Sequence, residues 1–441
     1  MSKRVLIITY YWPPSGGSGV QRWLKFVKYL RHYGWEPIVY TPSNPESPVI
    51  DPSLEKDIPE GITVLKTEIR EPYGLYKRFI GRKKDEKINT GFLTEKKRPG
   101  LAERIAVWVR GNLFIPDARK WWIQPSVTYL TEYLSKNKVD VIVSTGPPHS
   151  MHLIALGLKK RSGIKWLADF RDPWTQIDYY EDLNLTTWAD RKHHRLEREV
   201  LLNADAVVSV GKTMQEEFIR LLGEDGAAGK FHVITNGYDE DDVYQGEVVP
   251  DKKFSIAHIG TMVRTRNPIA LWEALSRLVK ERKDFAADLE LKLAGKVDFQ
   301  VLDSLKHYGL DTYVNRIDYL PHAEVMKLQQ QAQVLLLVLN NTKNAKGILT
   351  GKFFEYLAAR RPVLCIGPAD GDAAEIVRAT HSGKCVDFAD QDSAYAEVKE
   401  YYEQFKKGGL QANSSGIHKF SRKGLTREMA ELLKKTCAGQ A

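Results

Sequence analysis

Cysteine is scarce in this chain, and long apolar runs are absent. The 441 residues include three cysteines, which form no CxxC pair and lie far from any histidine at ligand spacing. This pattern argues against a disulfide framework and against a zinc site. The longest apolar run, residues 334–339, has six residues, whereas a bilayer-spanning helix needs about 20. We expect a soluble protein with no bound metal and no other cofactor.

The N-terminus begins with MSKRVLIITYYWPP, which superficially resembles a signal peptide. Its apolar part is short and aromatic, and it ends in Pro13-Pro14 without a small-residue cleavage site. A first buried strand explains it better. With the isolated cysteines, this predicts a cytoplasmic protein, with peripheral attachment at the inner face of the membrane as an open alternative.

Positive charge is concentrated in one segment. The net charge is +9, and residues 77–98 contain nine basic and three acidic residues. The next residues, 101–114, place Leu101, Ile105 and Trp108 at helical spacing. The segment 77–114 is therefore a candidate contact for an anionic membrane surface, with a solvated loop before a core helix as the alternative. Without a stacking motif, we expect no nucleic-acid partner.

Strands alternate with helices along most of the chain, which predicts parallel sheets covered on both faces. The length suggests two domains. A first β-α-β unit covers residues 4–40, and the polar, proline-punctuated residues 43–120 are interpreted as an insertion. A second series is expected to begin at Phe231 with FHVITNGYD. The predicted fold class is α/β, with two Rossmann-like domains.

A glycine-rich loop follows the first strand, where a doubly wound sheet binds ligands. It contains Gly17, Ser18 and Gly19. A dinucleotide fingerprint needs GxGxxG and an acidic residue after the second strand. Both are missing, because the second strand ends Tyr40-Thr41-Pro42. The loop remains a candidate for close approach to another ligand.

Charged residues also follow a later strand of the first half. Asp169, Arg171 and Asp172 lie at the end of KWLADF, and His149 follows the preceding strand. Charges grouped at the carboxyl edge of a sheet favour function, with an Asp172 N-cap and an internal ion pair as the structural alternative. The adjacent pair His193-His194 is interpreted as a surface feature.

The second half has two candidate anion-binding features. Arg264 and Arg266 follow the strand FSIAHIG, and guanidinium groups bind phosphate oxygens bidentately. Gly351 and Lys352 open a helix whose free amides attract anions, and Glu355 follows one turn later. These residues are candidate contacts for a diphosphate and, through Glu355, for sugar hydroxyls.

Five motifs together resemble glycosyltransferase family 4, retaining enzymes of the two-domain GT-B architecture. They are PPSGGSG, FRDPW, VITNGYD, HIGTMVRTRNP and GKFFEYLAARRPV, in that order along the chain. The resemblance implies an acceptor-side domain (1–235), a nucleotide-sugar domain (236–415), and a terminal helix within 416–441 that crosses back. It implies two domains facing across a cleft that holds the ligand.

The resemblance also implies roles for single residues. Gly17 and Gly19 would contact the donor diphosphate, with Ser18 and His149 on the acceptor side. Arg266 would occupy the family's phosphate-binding lysine position, and Glu355 would hold the nucleotide ribose. The catalytic candidates are Asp172, Arg171 and Asp169, and the donor set is completed by Arg264, Gly351 and Lys352.

Three positions depart from the family pattern. Gly347 stands where a sugar-contacting glutamate is usual, Arg171 stands in place of a histidine, and Thr261 replaces a phosphate-binding arginine, for which Arg264 is a substitute.

The expected function is metal-independent, retaining transfer of a sugar from a nucleoside-diphosphate sugar to a hydroxyl acceptor, namely a lipid-linked or cell-surface glycan precursor. A sugar-nucleotide epimerase or hydrolase and a non-catalytic nucleotide-sugar-binding protein remain alternatives. The sequence predicts neither the sugar nor the base.

Overall fold

The computed structural model describes residues 2–47, 49–71, 101–223, 229–318, 320–408 and 410–439. The chain divides into two compact domains. The first domain contains Met1–Thr235 together with Arg422–Ala441, and the second contains Asn236–Ser421. None of the helices in the described ranges combines the length and apolar character needed to cross a bilayer.

The described part of the first domain contains a seven-stranded parallel sheet in the order β3-β2-β1-β4-β5-β6-β7. Its strands are β1 (Lys3–Ile8), β2 (Trp35–Pro42), β3 (Thr63–Thr67), β4 (Val141–Gly146), β5 (Trp166–Phe170), β6 (Ala206–Ser209) and β7 (Phe231–Val233). The accompanying helices are α1 (Ser18–Leu30), α2 (Leu101–Leu113), α3 (Ile123–Lys136), α4 (Ser150–Ser162), α5 (Thr187–Asn203) and α6 (Lys212–Leu222).

The described part of the second domain contains a six-stranded parallel sheet in the order β10-β9-β8-β11-β12-β13. Its strands are β8 (Phe254–Ile259), β9 (Leu289–Ala294), β10 (Val314–Ile317), β11 (Val334–Val338), β12 (Val363–Ile366) and β13 (Gly383–Val386). Its helices are α7 (Ile269–Glu281), α8 (Lys283–Asp288), α9 (Phe299–His307), α10 (His322–Gln331), α11 (Gly351–Ala359), α12 (Asp372–Thr380) and α13 (Gln391–Lys406).

The final helix, α14 (Arg422–Cys437), belongs to the first domain, although it follows the second domain in the chain. It lies beside α1, and its Ala430 carbonyl accepts a 3.2 Å hydrogen bond from the Trp35 indole. Leu425, Met429 and Leu433 of α14 are buried in the apolar cluster that also contains residues of β1. Burial of this helix face therefore fastens the end of the chain to the first domain.

Both sheets are buried on both faces, as the predicted α/β class requires. Alternating residues of β1 enter different clusters, Leu6 and Ile8 on one face and Val5 and Ile7 on the other. All four are fully buried. Each such side chain contributes about 1.5–3 kcal/mol on burial.

In each sheet, the direction in which successive strands are added reverses at one point. In the first sheet β2 and β3 lie on one side of β1 while β4 to β7 lie on the other, so the crossovers diverge between β1 and β4. In the second sheet the same divergence lies between β8 and β11. Ligands of open α/β sheets bind at such switch points, which locates the candidate site loops in each domain.

Two predictions about the boundaries of the repeats were wrong. The FHVITNGYD segment does not start the second sheet, because β7 pairs with β6 in the first. Part of the predicted insertion 43–120 also belongs to the sheet, since β3 pairs with β2 through Thr63 to Thr67. The polar sequence hid β3 because it is a half-exposed edge strand. The basic residues 77–98 lie outside the described residues.

A buried ion pair joins α1 to the centre of the first sheet. The Arg22 guanidinium lies 2.8 Å from the Asp169 carboxylate, and the two side chains are 1% and 0% exposed. Trp23 and Thr145 also donate to this carboxylate, at 2.7 and 2.9 Å. Burial alone would raise the pKa of Asp169, but the Arg22 charge and these hydrogen bonds outweigh it and lower the pKa. Asp169 is therefore held ionised inside the domain.

Replacing Arg22 tests how far the first domain depends on this pair. Arg22→Met would leave the Asp169 charge buried without its cation, which typically costs about 3–5 kcal/mol. The control is Arg31→Met, because Arg31 and its partner Glu36 keep 34% and 31% of their side-chain surface exposed. An exposed pair contributes under about 1 kcal/mol. Urea unfolding should show a larger loss in the free energy of unfolding for Arg22→Met than for Arg31→Met. Equal losses in the two variants would contradict this account of the core.

Candidate functional site

The glycine loop leaves the backbone open at the start of α1. Gly17 precedes the helix with φ 89°, and no side chain caps the helix at this position. A Cβ added to Gly17 would meet no atom within 4 Å, so the loop surface here is open to a ligand. Ser18 is the first residue of α1, but its side chain lies outside the described residues.

Arg171 fastens three loops at the carboxyl edge of the first sheet. Its guanidinium donates to the Gly19 carbonyl at 2.6 Å and also to the Pro147 carbonyl. Its backbone amide donates to the Gly146 carbonyl at 2.9 Å. The loops after β1, β4 and β5 are thereby held together at the switch point. Space is tight here, since a Cβ on Gly19 would lie 3.0 Å from an Arg171 nitrogen.

The two predicted aspartates have different environments. Asp169 is fully enclosed and committed to Arg22, Trp23 and Thr145. Asp172 follows Arg171 and is exposed. Of the two carboxylates, only Asp172 is accessible to a molecule arriving from solvent. Asp169 acts on the site indirectly, through the position that it gives to α1 and β4.

His149 lies at the same edge, directly before α4. It is 8% exposed, and its ring stacks on Trp174 with centroids 4.5 Å apart. Burial, followed by the neighbouring His152 and His193, lowers the pKa of His149 well below its usual value. The imidazole is therefore neutral near pH 7, and its Nδ1 is buried without a hydrogen-bond partner among the described atoms.

The prediction that His193 and His194 are both surface residues was half wrong. His194 is exposed, but His193 is 4% exposed and accepts a 3.0 Å hydrogen bond from the Trp174 indole. The sequence places both on one helix without showing which side faces the sheet.

In the second domain, α11 begins with an open N-terminus. Thr350 precedes the helix without a side-chain capping bond, and its hydroxyl is buried without a partner in the described part of the chain. A Cβ added to Gly351 would meet nothing within 4 Å. No neighbouring atom therefore fills the space beside Gly351 at this helix end, and a helix N-terminus attracts negative charge.

Lys352 brings a buried amino group without a hydrogen-bond partner among the described residues to this helix end. It lies against the backbone at the end of β8, since a Cβ on Gly260 would be 2.7 Å from the Nζ. Burial and the nearby Arg266 lower the pKa of Lys352 to about 7, with Glu355 opposing them. A buried ammonium without a hydrogen-bond partner is a candidate for anion binding.

Arg266 lies on the loop after β8, and its guanidinium is oriented by two neighbours. It donates to the Asn340 side-chain oxygen at 2.6 Å and to the Thr261 carbonyl at 3.2 Å. Asn340 follows β11, so this bond joins the loops on the two sides of the switch point. Arg264 is exposed, and the described structure gives it no hydrogen bond or ion pair. The two predicted arginines thus differ: hydrogen bonds hold Arg266, whereas the described structure shows none for Arg264.

Glu355 lies one turn into α11 and accepts a 3.2 Å hydrogen bond from Gln329. The side-chain oxygen of Gln329 has no partner among the described atoms, although Gln329 is fully buried. Gly347 ends a short turn, Ala345–Gly347, and offers no carboxylate at the position of the usual glutamate.

The structure thus brings Arg266, Lys352, Gly351 and Glu355 together in the second domain, and Gly17, Gly19, Arg171, Asp172 and His149 together in the first. Sequence reasoning missed Asn340, Gln329 and Arg22. Asn340 could have been found from the sequence, because it directly follows the apolar run VLLLVL and so lies at a strand end. Within the described ranges, no three His, Cys, Asp or Glu side chains form a metal-ligand group. Independence from metal stays a prediction.

Comparison with solved structures shows the fold. A sucrose-phosphate synthase from Thermosynechococcus elongatus superposes with a TM-score of 0.61 at 15% identity, covering 99% of both chains. WaaG, a glycosyltransferase involved in lipopolysaccharide biosynthesis, gives 0.54 at 13% identity over 98% of both chains. A protein described as a UDP-N-acetylglucosamine 2-epimerase from Listeria monocytogenes gives 0.55 at 12%, covering 99% of this chain and 96% of its own.

Sequence comparison shows the family. No curated protein sequence matches the chain. The family model for Glycosyltransferase Family 4 matches residues 17–242, just over half of the chain. This range includes the glycine loop, Arg171 and Asp172. With its two parallel-sheet domains and the glycosyltransferases among its structural neighbours, this chain belongs to glycosyltransferase family 4 and has the GT-B fold.

Proposed function

We propose that this protein is a retaining glycosyltransferase that takes its sugar from a nucleoside diphosphate and transfers it to a hydroxyl group. The observation that carries the proposal is the buried, unpartnered ammonium of Lys352 beside Arg266 and the open N-terminus of α11. Three positive features around one space suit a diphosphate better than a neutral ligand.

Transfer breaks the bond between the anomeric carbon and the diphosphate oxygen, which keeps the electron pair. The acceptor oxygen forms the new bond and loses its proton to the departing phosphate. Because negative charge grows on the diphosphate, Lys352, Arg266 and the Gly351 amide stabilise the transition state. Arg266 needs little reorganisation, since Asn340 already holds it. This chemistry requires neither a protein nucleophile nor a bound metal.

Glu355 is assigned to the ribose of the donor. Its carboxylate is positioned one turn from the helix end and is partly held by Gln329. Two adjacent ribose hydroxyls donate well to a single carboxylate. With Gly347 at the usual glutamate position, backbone amides of residues 346–351 take over contact with the sugar, and Arg264 adds a further phosphate contact.

The acceptor side is assigned to the first domain. Asp172 is the accessible carboxylate, and Arg171 positions it by holding the neighbouring loops. Ser18 and the neutral His149 complete the predicted acceptor contacts. Gly17 lets a ligand approach the backbone closely, whereas Gly19 lets Arg171 pack against the loop. A lipid-linked or surface glycan precursor is the proposed acceptor, and the likeness to WaaG, which is involved in lipopolysaccharide biosynthesis, supports it. The proposed location is cytoplasmic.

A second candidate is a sugar-nucleotide epimerase or hydrolase. The likeness to the Listeria protein described as an epimerase keeps it open. Donor consumption without any acceptor would support this alternative, whereas acceptor-dependent release of nucleoside diphosphate supports transfer. Donor binding without turnover across an acceptor panel would indicate a non-catalytic binding protein.

Two substitutions test the diphosphate and ribose assignments through release of nucleoside diphosphate. Arg266→Ala should lower kcat by about 10²–10³ because it removes a fixed charge from the leaving group. Glu355→Ala should raise KM for the donor about tenfold or more, since it removes hydrogen bonds to a charged group. The control is Arg277→Ala, an exposed arginine of α7 that pairs with Glu281. Unchanged turnover in both site variants would reject the site.

The Lys352 ammonium predicts a pH-dependent affinity. Its pKa is about 7 in the free protein, and a bound diphosphate stabilises the charged form and raises that pKa. The affinity for the diphosphate should therefore be highest below pH 7, where Lys352 is charged, and fall as the pH rises. We expect the Kd of the preferred nucleoside diphosphate, chosen by thermal shift, to increase about tenfold or more from pH 7 to 9.

The matched control is Lys352→Arg, because arginine stays charged over this range. Arg266 also keeps its charge, and His258, with a pKa lowered to about 3 chiefly by burial, stays neutral. Calorimetric titration of the variant should therefore show a flat Kd between pH 7 and 9. The same slope in wild type and variant would exclude Lys352 as the titrating contact.

A further inference from the structure

Large apolar side chains are exposed in one region of the first domain. Trp108 of α2 is 42% exposed, Trp121 is 49% exposed and Trp188 of α5 is 62% exposed. Leu113, at the end of α2, is 53% exposed. Single exposed apolar residues need no explanation, but a group of them marks an interaction surface.

Hydrogen bonds and ring contacts show that these residues belong to one region. The Asn112 side chain donates to the Trp108 carbonyl at 2.8 Å and accepts from the Thr186 amide at 2.6 Å, which fastens α2 to the start of α5. The Phe114 ring meets the edge of Trp121 with centroids 5.2 Å apart. We call the group the aromatic surface; its members are Trp108, Leu113, Trp121 and Trp188.

Two lysines lie within the same region. The Lys120 Nζ donates to the Leu113 carbonyl at 2.6 Å, and the Lys192 Nζ lies 4.7 Å from the centroid of the Trp188 ring. Burial and the charge of Lys192 lower the pKa of Lys120. Neither lysine forms an ion pair with any residue that the structure describes. The aromatic surface thus carries positive charge that the described residues of its domain do not neutralise.

Helix α5 extends this charge away from Trp188. Residues 188, 191, 192 and 195 follow helical spacing and share one face. Arg191 and Arg195 are exposed, and Lys192 is half-buried. The acidic Asp190 points away from this face, where it accepts from Tyr180 at 3.0 Å and pairs with His194. We call Arg191, Lys192 and Arg195 the basic stripe.

We propose that the aromatic surface and the basic stripe dock the first domain onto an anionic phospholipid bilayer. Tryptophan side chains are favoured at the boundary between headgroups and acyl chains, and lysine and arginine are attracted to anionic headgroups. The exposed tryptophans match the polarity of the bilayer interface, and the cations without a described ion pair match its negative charge. The surface includes α2 but does not require residues 77–98, and its docking is independent of the donor site.

Vesicle binding by the full chain without donor tests the proposal. We expect co-sedimentation with vesicles of equal phosphatidylglycerol and phosphatidylcholine, at least tenfold stronger than with phosphatidylcholine alone. The double variant Trp121→Ala with Trp188→Ala should reduce the partition coefficient at least tenfold. Arg191→Glu with Lys192→Glu should abolish the preference for anionic vesicles. Thermal unfolding should be unchanged in both, because the replaced side chains are not fully buried.

Matched controls come from the second domain. Phe299→Ala replaces an aromatic residue that is 49% exposed, and Lys280→Glu with Lys283→Glu reverses two exposed charges. Both should bind vesicles like the wild type. Brominated lipid should quench wild-type tryptophan fluorescence more strongly than that of the double tryptophan variant.

The proposal is overturned if the wild type fails to sediment with anionic vesicles. It is also overturned if the surface variants bind like the controls, or if binding occurs without quenching. Failure of donor turnover with intact vesicle binding would reject the proposed enzyme activity and leave the docking surface standing.

Discussion

The parallel arrangement of each sheet is the constraint on which the candidate sites depend. In a parallel sheet all carboxyl ends of the strands meet at one edge, and the crossovers separate where the strand order reverses. In the first domain that point lies between β1 and β4, and in the second between β8 and β11. The glycine loop, Arg266 and Asn340 follow strands at these points, and Arg171 follows β5, the neighbour of β4, so the topology places them before any side-chain contact forms.

The carboxyl edges of the two sheets differ in how their charged side chains are compensated. In the first domain the charges are satisfied internally: Arg22 compensates Asp169, and Arg171 is used to hold backbone carbonyls. In the second domain Lys352 is buried without a partner, beside another cation and a helix N-terminus. Such an arrangement reduces the stability of the free protein and is relieved by an anion. This difference supports assigning the diphosphate to the second domain.

Much of the fold followed from the sequence, because strand length, apolar content and glycine position are local signals. The α/β class, the strand ends that carry Asp169, Arg171 and Arg266, and the helix start at Gly351 were predicted. The edge strand β3 was missed because it is polar, and β7 was assigned to the wrong sheet because strand pairing is not a local property.

The hydrogen-bond and ion-pair partners of the side chains were harder to predict than the positions of the residues. The sequence placed Asp169 and Asp172 together, but only the structure separates a buried ionic partner from an accessible carboxylate. The sequence also did not indicate that Cys365 and Cys385 lie side by side, as paired positions on the neighbouring strands β12 and β13. The unpartnered state of Lys352 depends on what is absent around it, and no sequence pattern reports that.

The central claim is that the open end of α11 holds the donor diphosphate. The most direct measurement is a crystal structure of the protein with its preferred nucleoside diphosphate. The account predicts a phosphate oxygen within about 3 Å of the Lys352 Nζ and of a backbone amide at Gly351. A diphosphate bound elsewhere, with the Lys352 ammonium still lacking a partner, would contradict it.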